Sequence, residues 1–190
     1  MAEDGPHPRL PVVAVLATLD SKAREIEMAC DVLAGAGARP WVVDLSLRPH
    51  HRGGADVTGE AVAEAGGSDW AALAALGRGE AGEVMMAGGR KLVAAEAEAG
   101  RVHAALGLGG ANGTSIACGI MREMPLLFPK LMVSVVASTP AVQWYVGASD
   151  IVMFPSVGDL SLNRVTAGVI ENAAVAAVAM ARHRMARPPE

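Results

Sequence analysis

Five short apolar runs, each closing on polar or glycine residues, set the fold class of the chain. Residues 11–16, Pro-Val-Val-Ala-Val-Leu, are followed by Thr18 and Asp20 and predict a buried parallel strand opening into a polar turn. Residues 41–45, 102–108, 130–136 and 151–154 predict four more strands of the same kind. Between them the period changes to that of a helix. Over residues 22–36, Ile26, Ala29, Cys30 and Leu33 recur on one face, and Gly35 and Gly37 supply the stop. Further helices are predicted over residues 70–76, 82–99, 114–124 and 162–185, with Gly88-Gly89 weakening the second but permitting close packing. Strand, helix and strand within about 35 residues make a βαβ unit, whose crossover is right-handed and whose strands are parallel. The expectation is one α/β domain over residues 1–190: an open, mainly parallel Rossmann-like sheet with helices on both faces. Residues 1–10 and 186–190 read as frayed ends, and residues 46–68 as one long loop.

Composition narrows the function more than the fold. A 52% hydrophobic content at only 19% charge excludes a disordered chain, and the apolar excess is mostly small, Ala and Val rather than aromatic. With a net charge of −4 and no Lys/Arg run, neither nucleic acid nor an anionic membrane is an expected partner. Residues 1–10 carry charges and prolines instead of a leader-like apolar segment, and no stretch reads as a membrane span, so a cytoplasmic location is expected. Cys30 and Cys118 form no Cys-x-x-Cys pair and read as free buried thiols.

The strongest chemical signal is Gly107-Leu108-Gly109-Gly110-Ala111-Asn112-Gly113-Thr114, placed between a strand and a helix. A phosphate needs several backbone N–H groups aimed inward, and glycine lets the backbone come close. Thr114 would cap the following helix or touch a phosphate oxygen. The segment is not a Walker A loop, since Gly113 stands where Lys would. Nor is it a dinucleotide fingerprint, since Asn112 stands where the third Gly would. It shares glycines and a Thr with the Gly-Gly-Asp-Gly-Thr turn of phosphofructokinase-like and NAD kinases, without the acid. A second candidate is Thr18-Leu19-Asp20-Ser21-Lys22 at the carboxyl end of the first strand, where open α/β sheets bind ligands. Its groups suit a phosphate and a metal, or simply cap a helix. Asp44 closes the second strand and is a candidate ribose or metal ligand, while Ser134, Ser138, Thr139 and Asp150 flank the fourth and fifth strands. No Gly-x-Ser-x-Gly elbow accompanies the serines, and His50-His51 lacks further ligand spacing, so neither a hydrolase triad nor a metal centre is expected.

Several segments together resemble the Tm-1-like ATP-binding domain family: residues 13–22 with Thr-Leu-Asp-Ser-Lys, Trp41-Val42-Val43-Asp44, Ala55-Asp56-Val57, Arg78-Gly79-Glu80-Ala81 and the glycine segment at 107–114. Residues 129–134, Ala137-Ser138, Tyr145-Val146-Gly147-Ala148-Ser149-Asp150-Ile151 and Leu162-Asn163-Arg164 continue the series in order. Ala111, which removes a hydroxyl, and Thr139-Pro140 depart from the pattern. The resemblance implies an ATP-binding domain and a homodimer. It also implies, in longer members, a barrel-like C-terminal domain absent from this sequence. The resulting expectation is a module that holds ATP, with Mg²⁺, between the glycine segment and the Thr18–Lys22 turn. Two alternatives accompany it. One is a small-molecule kinase or ATP-dependent ligase, in which Lys22 or Arg164 stabilises the transferring phosphate and Asp20 or Asp150 holds Mg²⁺. The other is a subunit that completes an active site with a separate barrel-domain protein.

Overall fold

The computed structural model describes residues 9–50 and 53–187; His51 and most of the expected frayed ends lie outside the described residues. Five strands, β1 (Val12–Ala17), β2 (Arg39–Asp44), β3 (Ala104–Gly109), β4 (Lys130–Ser134) and β5 (Val152–Pro155), form one all-parallel sheet in the order β2-β1-β3-β4-β5. The α/β fold with a Rossmann-like arrangement read from the sequence is thus the fold of the chain. β1, β3 and β4 are buried throughout, which is why they read as unbroken apolar runs rather than alternating ones.

Helices cover both faces. α1 (Leu19–Gly35) and α7 (Arg164–Ala186) pack on one face through Ile26, Ala29, Leu33, Ile170, Ala174 and Ala177. On the other face lie α2 (Gly59–Ala65), α3 (Trp70–Ala75), α4 (Arg78–Glu98) and α5 (Ala111–Arg122), with Leu73, Met85, Ile116, Ile120 and Met121 in the core. Gly88 and Gly89 do permit close packing. A Cβ on Gly88 would lie 1.8 Å from the Val62 carbonyl of α2, and one on Gly89 2.4 Å from Ile120 of α5. α6 (Val142–Val146) is one short turn between β4 and β5. Among the described residues only α7 is long and apolar enough to cross a membrane. Its alanine content brings it to that threshold, and one of its faces is spent on the sheet.

Of the boundaries that differ from the sequence reading, three bear on the site and have reasons that lie far away in the chain or in weak local signals. α1 starts at Leu19 instead of residue 22, because Asp44 and Ser46, at the end of β2, accept the amides of Leu19 and Asp20. α5 starts at Ala111 instead of Thr114, directly after the single N-cap residue Gly110. Within the expected 46–68 loop, Thr58 caps α2 by accepting from the Ala61 amide, and Val62 and Ala63 are buried.

Both lateral margins of the sheet are finished. Outside β2, residues 56–57 run alongside: the Asp44 amide donates to the Val57 carbonyl, and the Val42 amide donates to the Asp56 carboxylate. β5 is four residues long and ends on Pro155, which has no amide hydrogen.

At the amino edge of the sheet, the Val12 amide donates to Nδ1 of His103, 3.0 Å away, joining the start of β1 to the residue before β3. Burial, followed by the positive charge of Arg184, holds the His103 pKa below the ordinary histidine value. Arg9 adds to it. A folded-state pKa below that of the unfolded chain means that the unfolded chain binds more protons once pH falls below about 6.5. Stability should therefore be complete above that pH and decline as pH drops toward the folded value. Urea midpoints measured at about pH 7.5 and about pH 5.5 should differ more for the parent chain than for His103→Asn, which keeps an acceptor for Val12 but does not titrate.

Candidate functional site

The strand order places the site before any side chain does. From β1 the chain steps outward to β2, and from β3 it steps the other way to β4, so the β1–α1 and β3–α5 connections diverge between neighbouring strands. Ligands of open α/β sheets bind in the crevice that such a reversal leaves at the carboxyl ends. Here its walls are the starts of α1 and α5, each carrying the amide-rich positive end of a helix.

The α1 wall is already neutralised from within. Oδ1 of Asp44, a residue only 3% exposed, accepts from the Leu19 amide, the Ser46 amide and the Ser46 hydroxyl, and Oδ2 lies 2.8 Å from Nε2 of His50. The Asp20 amide donates to the Ser46 hydroxyl. The amides of Ser21 and Lys22 go to the Thr18 carbonyl, and the Thr18 and Ser21 hydroxyls bond each other. Lys22, kinked out of helical geometry, donates Nζ to the Leu160 carbonyl in the β5–α7 connection, which Glu25 also holds through the Leu162 amide. Asp44 therefore has its oxygens committed inside the protein, rather than presented to a ribose. Beside it a cavity of about 220 Å³, lined by Asp44, His50, Thr58, Glu60 and Trp70, lies next to β2.

The α5 wall is open. Gly110, the N-cap, offers no side chain, and the amides of Ala111, Asn112 and Gly113 meet no acceptor among the described residues; the Thr114 amide is the first to be satisfied, by the Gly110 carbonyl. The glycines divide by task. A Cβ on Gly107 would lie 3.2 Å from the Ala117 Cβ of α5, and one on Gly109 2.8 Å from the Thr114 nitrogen, so these two let α5 close onto the sheet. A Cβ on Gly110 would meet nothing, which marks it as the point where space is left in front of the helix.

Beneath this end lies a buried hydroxyl chain. Thr114 Oγ1 donates to the Gly109 carbonyl at 3.2 Å, Ser134 Oγ lies 2.6 Å from Thr114 Oγ1, and Ser134 accepts the Val136 amide; both hydroxyl residues are fully buried. Thr114 and Ser134 thus brace the glycine segment from below instead of facing a ligand. Ser138 is exposed on the loop after β4, and Arg164 is exposed at the first turn of α7, both at the carboxyl edge. Asp150 is elsewhere. It precedes β5, so it lies at the amino edge, where it pairs with the buried Lys130 and accepts the Leu127 amide. Burial alone would raise its pKa, but the bonds from Lys130 and Leu127 together hold the carboxyl below its usual range. Ser46 is the residue that sequence reading missed. The signal was the Asp44-Leu45-Ser46 spacing, which at strand period 2 directs both polar side chains to one side.

The profile of the uncharacterised protein family UPF0261, N-terminal domain, matches residues 11–186. The chain belongs to this family. It is 37% identical over 183 residues to a UPF0261 protein of Mesorhizobium japonicum, covering 94% of this chain and 44% of that protein. A UPF0261 protein of Rhizobium meliloti is 38% identical, with 94% and 43% covered. The ToMV resistance protein Tm-1 of Solanum lycopersicum is 41% identical over 81 residues, 42% of this chain and 11% of that protein. The chain thus spans less than half the length of these relatives.

The hydroxyl chain gives a direct stability test. Thr114→Val keeps the shape of the side chain but leaves the Gly109 carbonyl and the Ser134 hydroxyl short of a partner, a cost of about 1–2 kcal/mol. The melting temperature should fall by roughly 2–8 °C, read by differential scanning calorimetry.

Proposed function

We propose that this UPF0261 domain binds the phosphates of a nucleotide, ATP, in the crevice between β1 and β3, with the open start of α5 as the phosphate cradle. The observation that carries this reading is the contrast between the two helix ends. Of two helices that open on the crevice, α1 has its amides taken by Asp44, Ser46 and Thr18, whereas α5 presents three free amides behind a side-chain-free N-cap. Backbone amides and the helix dipole hold an anion without a cation directly on it. Asn112 and Ser115 on the first turn and Ser138 after β4 supply polar groups at the same edge. Lys22 can join the phosphates only by releasing the Leu160 carbonyl. Mg²⁺ would arrive carried by the ATP phosphates, since nucleotide-bound Mg²⁺ takes few protein ligands.

The domain is a binding module whose chemistry, where there is any, is completed by the part of the longer relatives that this chain does not span. A phosphoryl-transfer enzyme needs a base or positioning group for the acceptor. Asp150, one of the acids considered for Mg²⁺, lies at the opposite edge, bound to Lys130. The isolated chain should therefore bind ATP and turn it over far below the roughly 1–100 s⁻¹ of kinases. ADP release in the kinase range by the isolated chain would replace the module with an enzyme.

The binding test uses Gly110→Val. The new side chain enters open space from a backbone at φ −69° and ψ −170°, which valine adopts readily. Folding should persist while calorimetric ATP affinity falls about tenfold or more. Unchanged affinity in the folded variant would move the site elsewhere.

A further inference from the structure

The largest concavity among those described lies at the opposite edge of the sheet from the nucleotide crevice. A groove of about 1100 Å³ runs between the end of α7 and the segment leading into β4. Its apolar lining includes Leu126, Leu127, Phe128 and Met180; Leu126 is 73% and Leu127 66% exposed. Its rim is basic, with Arg9, Arg184 and Arg187 joined by His103 and His183. None of the three arginines forms an ion pair with a carboxylate among the described residues, and Arg184 stacks over the Phe128 ring at 4.8 Å. The acid in the groove, Asp150, is already spent on Lys130 and the Leu127 amide. A chain of net charge −4 has thus gathered unpaired cations around one apolar trough.

The two leucines are held out deliberately by the structure. Leu127 sits at φ +67°, a left-handed backbone that leucine seldom adopts. The bracket is Lys130, fully buried, whose Nζ donates to the Pro125 carbonyl on one side of the turn while pairing with Asp150, which in turn holds the Leu127 amide. A buried lysine and a strained leucine are unexpected costs for a turn whose side chains only face water. Presented apolar side chains inside a polar rim are the pattern of a protein interface.

We propose that this groove seats the polypeptide that follows the domain in the longer UPF0261 proteins, and that the surface it receives is an apolar ridge flanked by acidic side chains. The family match is to an N-terminal domain and ends at residue 186, within the last turn of α7, which is itself one wall of the groove. In the Mesorhizobium relative the matched stretch is only 44% of the protein. A chain continuing from α7 would start beside the groove. These arginines, without a carboxylate partner among the described residues, give the charge that such a surface must complement. The inference is independent of the nucleotide reading, because the two sites lie at opposite edges.

The test titrates this chain with the C-terminal remainder of the Mesorhizobium japonicum protein, expressed as a separate polypeptide, at low and at high salt. Saturable one-to-one binding that weakens with salt is expected. It should fall about tenfold or more in Leu126→Asp/Leu127→Asp and in Arg184→Glu. Both leucines are exposed and aspartate tolerates left-handed backbone, so the double variant should keep the parent's melting temperature and ATP affinity. Absence of binding, or binding that both variants leave intact, would overturn the proposal. So would sedimentation in which the same substitutions dissolve a homodimer, since the groove would then belong to a second copy.

Discussion

At the end of β2 one carboxylate gathers the Leu19 amide, the Ser46 amide and the Ser46 hydroxyl on one oxygen, with His50 at the other. The α1 side of the carboxyl edge is arranged around this use of Asp44. It draws the first turn of α1 down against β2, which lets the helix begin directly after β1. It also cancels the positive end of α1 inside the protein, where a ligand cannot reach it. The neighbouring helix α5 has no such partner, because β3 ends on glycines and Gly110 carries no side chain. Two helix ends that look alike from the backbone differ electrostatically, and the difference comes from a residue on a third element.

The parts of this arrangement that were legible in the sequence are those that depend on neighbours in the chain. β1, β3 and β4 are buried on both faces, so their apolar runs stand out without alternation, and the βαβ order gave the parallel sheet. The resemblance to the Tm-1-like family agrees with the UPF0261 match and with the partial likeness to the Tm-1 protein. What was not legible depends on partners far off along the chain. The cap of α1 lies 25 positions away, and the propensities of Thr18-Leu19-Asp20-Ser21 say nothing of it. Asp150 was grouped with the crevice because it adjoins β5, but a residue before a parallel strand lies at the edge opposite to one after it.

Glycine and hydroxyl residues show the same limit more sharply. In the segment at 107–114 the glycines look equivalent as letters. Gly107 and Gly109 are consumed by helix-to-sheet contact, while Gly110 faces open space. Thr114 and Ser134 were both candidate ligand residues, yet they bond each other in the interior. A hydroxyl in a ligand loop and a hydroxyl beneath one have the same local sequence. Only packing separates them, and packing is set by where β4 lies relative to β3.

The two finished margins of the sheet have a bearing on how so apolar a chain stays single-stranded at its borders. An exposed strand border is a template on which another extended chain can add, and runs of Val, Ala and Leu are the sort that do so. Outside β2, Asp56 and Val57 already occupy the outward amides of Val42 and Asp44 and the Val42 carbonyl. At β5 the run is four residues, and the last of them contributes no donor. The most adhesive strands, β1 and β3, sit where no newcomer can reach them. Protection from edge-to-edge growth is therefore written into the strand order itself: the sheet keeps its stickiest segments in the middle and ends on its two least receptive ones.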